Sequence, residues 1–157
     1  FKINYPLAFY SSFFGIRAED FEAEIILGGF DRVQERLREI NKLGFSATQK
    51  EKRLQTVLEL ALEMYARSFH FLPVDIYKSD ARKFIISGNG LRLPFAALPN
   101  IGLTAAQGII SSRQEGEYLS IEDFQARTRL NKSGMDVLRK ENCFANLPEK
   151  NQMSLFA

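Results

Sequence analysis

The chain has 157 residues, 45% of them hydrophobic and 25% charged, which is the composition of an ordinary globular protein. This length suffices for one domain or two small ones. Because Cys143 is the only cysteine, the sequence excludes an internal disulfide bond and a zinc site with several cysteine ligands. No apolar run approaches the roughly 20 residues that a membrane-spanning helix needs.

The N-terminus and the cysteine content indicate the setting of the protein. The first ten residues lack the basic region and the long apolar stretch of a signal peptide. Together with the single cysteine, this favours a reducing, cytoplasmic location. Because the chain begins with Phe1 rather than methionine, we expect it to be a piece of a longer protein.

The formal net charge of +2 is distributed unevenly. Residues 1–73 carry ten basic and ten acidic side chains, whereas residues 82–140 carry nine basic and five acidic ones. A basic excess in one segment favours a polyanionic partner. A solvated basic surface explains the excess equally well.

Hydrophobic residues recur at helical spacing through residues 1–70, so this part is predicted to be a helical unit. Thr48 and Glu51 have the spacing of a capping box at the start of its longest helix. The four predicted helices span residues 5–14, 18–29, 30–44 and 46–69. This part shows no pattern of catalytic residues.

The composition changes after the fourth helix. Two short apolar runs, 84–86 and 91–93, are separated by a Gly/Asn turn, and this pattern predicts a β-hairpin. From Pro94 onward the chain is predicted to be helical again. One short helix lies on each side of residues 98–103, and two more lie within 120–142. The predicted fold class is therefore mainly α with a small β-hairpin.

The stretch FAALPNIGLTAAQGIISSR, residues 95–113, resembles a helix-hairpin-helix motif, in which a tight glycine turn joins two short helices. Such a turn exposes main-chain N–H groups at a helix N-terminus, where unsatisfied donors and a partial positive charge bind a phosphate oxygen. Gly102 lets the backbone approach closely because it has no Cβ. Asn100 replaces the first glycine of the motif, and asparagine tolerates the left-handed conformation.

Phosphate binding by this turn is predicted to be independent of base sequence, because phosphates carry no base information. Nearby cations would supply counter-charge. The candidate DNA-contacting residues are Asn100, Ile101, Gly102, Leu103, Thr104, Arg92, Arg113 and Lys132. The alternative interpretation is a plain pair of helices with a glycine turn, and solvated surface positions for the three cations.

The sequence contains no recognisable catalytic constellation. His70, the only histidine, stands between Phe69 and Phe71 and is interpreted as a packing residue rather than a ligand or a base. Cys143 is interpreted as a buried, apolar-like side chain. We expect no catalytic residue, no metal site and no cofactor in this chain.

Over essentially its whole length the chain resembles the C-terminal end of the PolC-type α subunit of bacterial DNA polymerase III. The resemblance is carried by the order of five segments: YPLAFYSSFF, ATQKEKRLQTVLELALEMYARSF, VDIYKSDARKFII, LPFAALPNIGLTAAQGIISSRQEGEYLSIEDF and the terminal NQMSLF. The sequence departs from the family pattern where Asn100 and Asn142 stand at positions expected to be glycine.

This resemblance implies a division into domains and a set of partners. Residues 1–73 would be the helical end of the fingers domain, 74–148 a duplex-binding helix-hairpin-helix domain, and 149–157 a flexible tail. The catalytic aspartates would lie in the palm, upstream of this chain, and Mg²⁺ is expected for the full-length polymerase. The implied partners are double-stranded DNA, the sliding clamp and the upstream polymerase domains, with no membrane contact.

The resemblance also implies that the C-terminal tail binds the sliding clamp. The clamp-binding residues would be Gln152, Met153, Ser154, Leu155 and Phe156. The Leu-Phe pair would enter an apolar pocket, and the glutamine amide would fix the register by hydrogen bonds. Because ordering a flexible tail costs entropy, we expect this contact to be weak on its own, roughly micromolar.

Two other functions remain open on the sequence alone. The chain could be a non-enzymatic adaptor whose helix-hairpin-helix binds DNA or another protein. It could also belong to a repair nuclease whose catalytic domain lies elsewhere. The residues upstream of Phe1 would separate these alternatives from the polymerase.

Overall fold

The computed structural model describes residues 1–151, so the predicted clamp-binding residues Gln152–Phe156 lie outside the described part. Residues 1–151 form seven α-helices and a small three-stranded sheet, which confirms the predicted fold class. The helices are α1 (Pro6–Ile16), α2 (Ala23–Leu27), α3 (Phe30–Leu43), α4 (Gln49–Ala66), α5 (Leu103–Arg113), α6 (Ile121–Thr128) and α7 (Lys132–Lys140). The strands are β1 (His70–Leu72), β2 (Ile85–Ser87) and β3 (Gly90–Arg92).

The capping box predicted for α4 is confirmed. Oγ1 of Thr48 accepts a hydrogen bond from the N–H of Glu51 at 3.1 Å, and the Glu51 carboxylate accepts one from the N–H of Thr48 at 3.0 Å. The helix packs against α3, and its apolar face is buried at Leu54, Val57, Leu58 and Ala61. It ends at Ala66, three residues before its predicted end at Phe69.

The helix predicted over residues 18–29 is wrong as a continuous element. A 3₁₀ turn at Ala18–Asp20 is followed by Phe21 in an extended conformation, and α2 begins only two residues later. The centre of the Phe21 ring lies 5.7 Å from the ring centre of Phe14, 5.5 Å from that of Phe71 and 5.1 Å from that of Phe84. Insertion of this ring into an aromatic cluster therefore outweighs the local helical pattern.

The predicted hairpin is confirmed as β2 and β3, which pair antiparallel across a two-residue turn. A third strand, β1, was not predicted; it pairs parallel to β3 and makes β3 the central strand. His70 begins β1 and is exposed, with its ring against Gly90. A Cβ at Gly90 would lie 2.7 Å from Nε2 of His70, so the histidine packs on the surface rather than in the core.

One hydrophobic core runs through the described residues. It includes Tyr10 and Phe14 of α1, Phe84 beside the hairpin, and Ile109 and Phe124 of the C-terminal helices. The predicted division at residue 73 thus separates two parts that share buried side chains, and it remains a prediction. Among residues 1–151, no helix combines the length and the apolar character that crossing a membrane requires.

Candidate nucleic-acid interface

The predicted turn of the helix-hairpin-helix is formed by three residues with distinct environments. Asn100 adopts a left-handed conformation with φ of 63°, which confirms the expectation for this position. Ile101 is buried and anchors the turn to the core, and Gly102 is the exposed N-cap of α5. The turn therefore holds the start of α5 at the surface.

The first helix of the motif is shorter than predicted. Only a 3₁₀ turn, Phe95–Ala97, precedes the hairpin. Leu98 is extended, with φ of −93° and ψ of 144°. This is the conformation expected before Pro99, because the proline ring disfavours an α conformation in the preceding residue.

The main-chain N–H groups at the start of α5 are free to bind a ligand. Within residues 1–151, the N–H groups of Leu103, Thr104 and Ala105 have no hydrogen-bond partner, and Gly102 offers no side-chain cap. Leu103 and Thr104 are also exposed. Unsatisfied donors at a helix N-terminus attract anions, so this arrangement suits a phosphate oxygen.

Gly102 contributes space rather than an unusual backbone conformation. Its φ of −73° and ψ of 168° are accessible to any residue. A Cβ at this position would meet no atom within 4 Å among the described residues, so the space in front of it is open. Among the described residues nothing packs against this position, so a side chain here would obstruct the close approach of a ligand.

A second turn repeats the geometry of the first. Arg129 is left-handed with φ of 58°, Leu130 is buried, and Asn131 caps α7 with φ of −73° and ψ of 170°. The order of a left-handed residue, a buried apolar residue and an N-cap is the same as in the first turn. Lys132, a predicted DNA-contacting residue, is the exposed first residue of α7. Its own N–H has no hydrogen-bond partner within residues 1–151.

A cleft of about 550 Å³ adjoins the first turn. One wall is the turn itself, residues 100–103, and another is the end of α1 at Gly15 and Ile16. Arg82 also lines this cleft, is exposed, and has no hydrogen-bond partner for its guanidinium within residues 1–151. Arg82 was not among the predicted site residues, because only the fold brings it beside a turn that lies some twenty residues away in the chain.

The structure places two predicted cations away from the first turn. Arg92 donates from Nη1 to the carbonyl of Pro73 at 2.9 Å and lines a different cleft. Arg113 ends α5, about 15 Å along the helix from its first residue, and donates from Nη1 to the carbonyl of Ser79 at 2.7 Å. That Arg92 and Arg113 contact DNA remains a prediction. Such a contact would involve a part of the surface other than the first turn.

Arg127, which was not a predicted site residue, fixes α6 against the end of α5. Its Nη2 donates to the carbonyls of Ser112 at 2.5 Å and Gly116 at 3.0 Å. Its guanidinium also lies 4.5 Å from the ring centre of Tyr118. This bridge joins the helix that follows the first turn to the helix that precedes the second.

Cys143 is unsuited to nucleophilic chemistry at neutral pH. Burial raises the pKa of its thiol to about 12, and the carboxylates of Glu141 and Asp75 act in the same direction. Its Sγ donates to the carbonyl of Val74 at 3.4 Å. The side chain is partly rather than fully buried, which modifies the sequence-based interpretation.

A profile of the helix-hairpin-helix motif family matches residues 68–154, more than half of the chain. The chain therefore belongs to the helix-hairpin-helix motif family, in agreement with the paired turns described above. Its relatives include proteins named DNA polymerase III PolC-type.

Three of these relatives show the extent of the similarity. The chain is 47% identical to the protein of Caldanaerobacter subterraneus subsp. tengcongensis, 43% to that of Bacillus subtilis and 42% to that of Thermotoga maritima, over 156 residues in each case. The matches cover 99% of this chain and 11% of each relative, so the chain spans about a ninth of their length.

Proposed function

We propose that this chain is the duplex-binding part of a bacterial replicative DNA polymerase and holds the DNA backbone behind the polymerase active site. The observation that supports this most directly is that the N–H groups of Leu103, Thr104 and Ala105 have no partner within residues 1–151, and that the first two of these residues are exposed. Phosphate oxygens of one strand would accept from these donors. Binding of this kind has little dependence on base sequence.

The second turn supports the same function. Lys132 and Ser133 have main-chain N–H groups without a partner in residues 1–151, while Asn131 caps only the N–H of Gly134, at 2.8 Å. Arg129 and Lys132 place two exposed positive charges beside these donors. Two turns of the same geometry on one module would contact two sites along the phosphate backbone.

The polymerase context is proposed from the relatives, whose printed name is DNA polymerase III PolC-type. In this proposal, the full-length protein is a DNA-directed DNA polymerase that acts in the cytoplasm and uses Mg²⁺. Its catalytic residues lie outside this chain. Residues 1–73 are the end of the fingers domain, 74–148 are the duplex-binding domain, and 149–157 are a flexible tail that binds the sliding clamp.

Binding to duplex DNA tests the first part of the proposal. Affinity for unrelated duplex sequences, measured by fluorescence anisotropy, should be similar and should fall steeply with salt concentration. Gly102→Val should weaken binding roughly tenfold, about 1.4 kcal/mol, because its side chain occupies the space in front of the N–H groups. Gln107→Val is the matched control, since Gln107 is exposed on the same helix one turn further on.

Two outcomes would contradict this assignment. Wild-type affinity in Gly102→Val, with the fold intact, would show that the first turn does not contact DNA. A response that is flat with salt would favour a protein-binding adaptor in place of a DNA-binding module.

Deletion of residues 152–157 tests the tail. We expect the truncated protein to lose binding to the sliding clamp in surface plasmon resonance and to keep its affinity for duplex DNA. Phe156→Ala should reproduce the loss because its ring would fill the apolar pocket. Met153→Ala, at the spacer position, is the control and should bind the clamp as the wild type does. Retention of clamp binding by the truncated protein would exclude the tail as the contact.

A further inference from the structure

The segment Pro148–Asn151 lies along the first turn of α6. The N–H of Ile121 donates to the carbonyl of Pro148 at 2.8 Å, and the N–H of Glu122 donates to the carbonyl of Glu149 at 3.1 Å. We call this arrangement the C-terminal clasp, meaning residues 148–151 docked on residues 120–122. The clasp pairs two N–H groups that a helix start ordinarily leaves unsatisfied.

Side chains add to the clasp on both sides. The hydroxyl of Ser120 contacts Oδ1 of Asn151, and Arg139 of α7 forms an ion pair with Glu149. Just before the clasp, Leu147 packs against the core and donates its N–H to the carbonyl of Phe144 at 3.0 Å. The chain is thus attached to the folded module up to Asn151.

The start of α6 differs in this respect from the starts of α5 and α7. In residues 1–151, the first two N–H groups of α5, on Leu103 and Thr104, have no partner, and neither have those of α7, on Lys132 and Ser133. The corresponding groups of α6 are both used by the clasp. Two helix starts therefore remain available to an external anion, and the third holds the end of the described chain.

We propose that the C-terminal clasp fixes the point from which the last six residues leave the DNA-binding module, so that a protein bound by them is held close to α6. This inference rests on the proposed binding of the sliding clamp by Gln152–Phe156. From Asn151, five residues span at most about 17 Å. The clamp surface that receives Leu155 and Phe156 therefore lies within that distance of the clasp.

Opening the clasp would change the reach of the tail. If the chain were free from Leu147 onward, nine residues would separate the anchor from Phe156, and the reach would rise to about 30 Å. Because the effective concentration of a flexible tether falls roughly as the −3/2 power of its length, that of the Leu-Phe pair at the clamp would fall roughly two- to threefold. A short fixed tail thus keeps the clamp and the DNA-contacting turns at one relative distance.

Hydrogen–deuterium exchange of the full-length protein tests the clasp itself. By mass spectrometry of short peptides, the N–H groups of Ile121 and Glu122 should exchange at least tenfold more slowly than those of Leu103 and Thr104. Deletion of residues 148–157 should abolish this protection, and deletion of 152–157 should leave it. Equal exchange rates for the starts of α6 and α5 in the wild type would overturn the proposal.

Retention on DNA tests the consequence. Four residues inserted between Asn151 and Gln152 lengthen the tail to the reach of an open clasp while leaving the clasp closed. This variant should dissociate roughly two- to threefold faster from a sliding clamp loaded on duplex DNA, with unchanged affinity for the free clamp. Unchanged retention would overturn the proposal.

A clasp-opening variant and a matched control complete the experiment. Glu149→Ala combined with Asn151→Ala removes both side-chain contacts, and it should speed exchange at Ile121 as well as dissociation. Lys150→Ala lies between these positions, has no side-chain partner in residues 1–151, and should behave as the wild type. If the protein without residues 152–157 still binds the sliding clamp, the assignment of the tail as the clamp-binding segment is wrong. The hydrogen-exchange experiment tests the clasp independently of that assignment.

Discussion

At the scale of single residues, two positions of the first turn have different requirements: Asn100 must adopt a left-handed conformation, and Gly102 must leave space for a ligand. Asn100 occupies the left-handed region, where most side chains are strained. Gly102 has an ordinary backbone conformation and open space before it. The backbone therefore tolerates asparagine in place of glycine at position 100. A side chain at position 102 would instead obstruct a ligand.

Arg82 provides a prediction at this scale. Because its exposed guanidinium lines the cleft beside the free N–H groups, we expect Arg82→Ala to weaken duplex binding about threefold to tenfold and to reduce the dependence on salt by about one phosphate contact. Binding isotherms at four salt concentrations would measure both effects. Thermal unfolding should show unchanged stability.

The neighbouring Lys83 supplies the matched control for this experiment. It is exposed and carries the same charge. It lines the groove between α1 and β2, as Arg82 also does, but it does not line the cleft beside the first turn. Lys83→Ala should leave the salt dependence unchanged. Equal effects of the two substitutions would indicate a diffuse basic surface instead of a defined cleft.

At the scale of elements, local hydrogen bonds explain where α4, α6 and α7 begin and where α7 ends. Thr48, Ser120 and Asn131 each accept a hydrogen bond from an N–H in the first turn of α4, α6 and α7, respectively. Asn142 ends α7 in a left-handed conformation, as expected for a residue in the place of glycine. The N–H of Cys143 reaches back to the carbonyl of Leu138 at 2.9 Å, which completes that helix end.

The capping box of α4 gives a pH-dependent prediction. Hydrogen bonds from the main-chain N–H and the side chain of Thr48 lower the pKa of the Glu51 carboxyl below its ordinary value of 4.5. Since the folded-state pKa is lowered, the box stabilises the helix start above pH 4.5 and loses this contribution as the pH falls through the lowered pKa. Thr48→Ala should therefore raise the pKa of Glu51 toward its ordinary value.

Carboxyl resonances followed by NMR during an acid titration would measure this pKa. Thr56→Ala is the control, because Thr56 is exposed in the middle of the same helix and caps nothing. An unchanged pKa of Glu51 in Thr48→Ala would show that the box does not form in solution.

At the scale of the whole molecule, one aromatic cluster connects the N-terminal helices to the hairpin. Phe84, beside β2, lies 5.7 Å from Phe14 of α1 and 5.1 Å from Phe21, measured between ring centres. Phe71 of β1 joins the same cluster, with its ring 5.3 Å from that of Phe14. The cluster thus spans the predicted boundary at residue 73.

We expect Phe84→Ala to lower the free energy of unfolding by about 3–5 kcal/mol, because it leaves a cavity in this cluster. Urea unfolding should show one transition in both wild type and variant, when followed by probes on either side of residue 73. The control is Phe45→Ala, which removes a fully exposed ring and should change stability little. Two separate transitions would establish two independent domains.

The amino-acid sequence by itself determined the helices with clear periodicity, their caps, the hairpin, and the turn of residues 100–102. These features depend on neighbours within a few positions along the chain, so hydrogen-bonding and conformational preferences of single residues are sufficient to predict them. The mainly α fold class follows from them.

Only the tertiary structure decided the break before Phe21, the third strand, the position of Arg82 and the docking of residues 148–151. Each depends on groups far apart in the chain: Phe21 packs against Phe84, Arg82 lines the same cleft as Gly102, and the carbonyl of Pro148 accepts from the N–H of Ile121. Burial of aromatic side chains and pairing of main-chain N–H groups depend on which residues lie close together in space. The spacing of residues along the sequence does not predict that proximity.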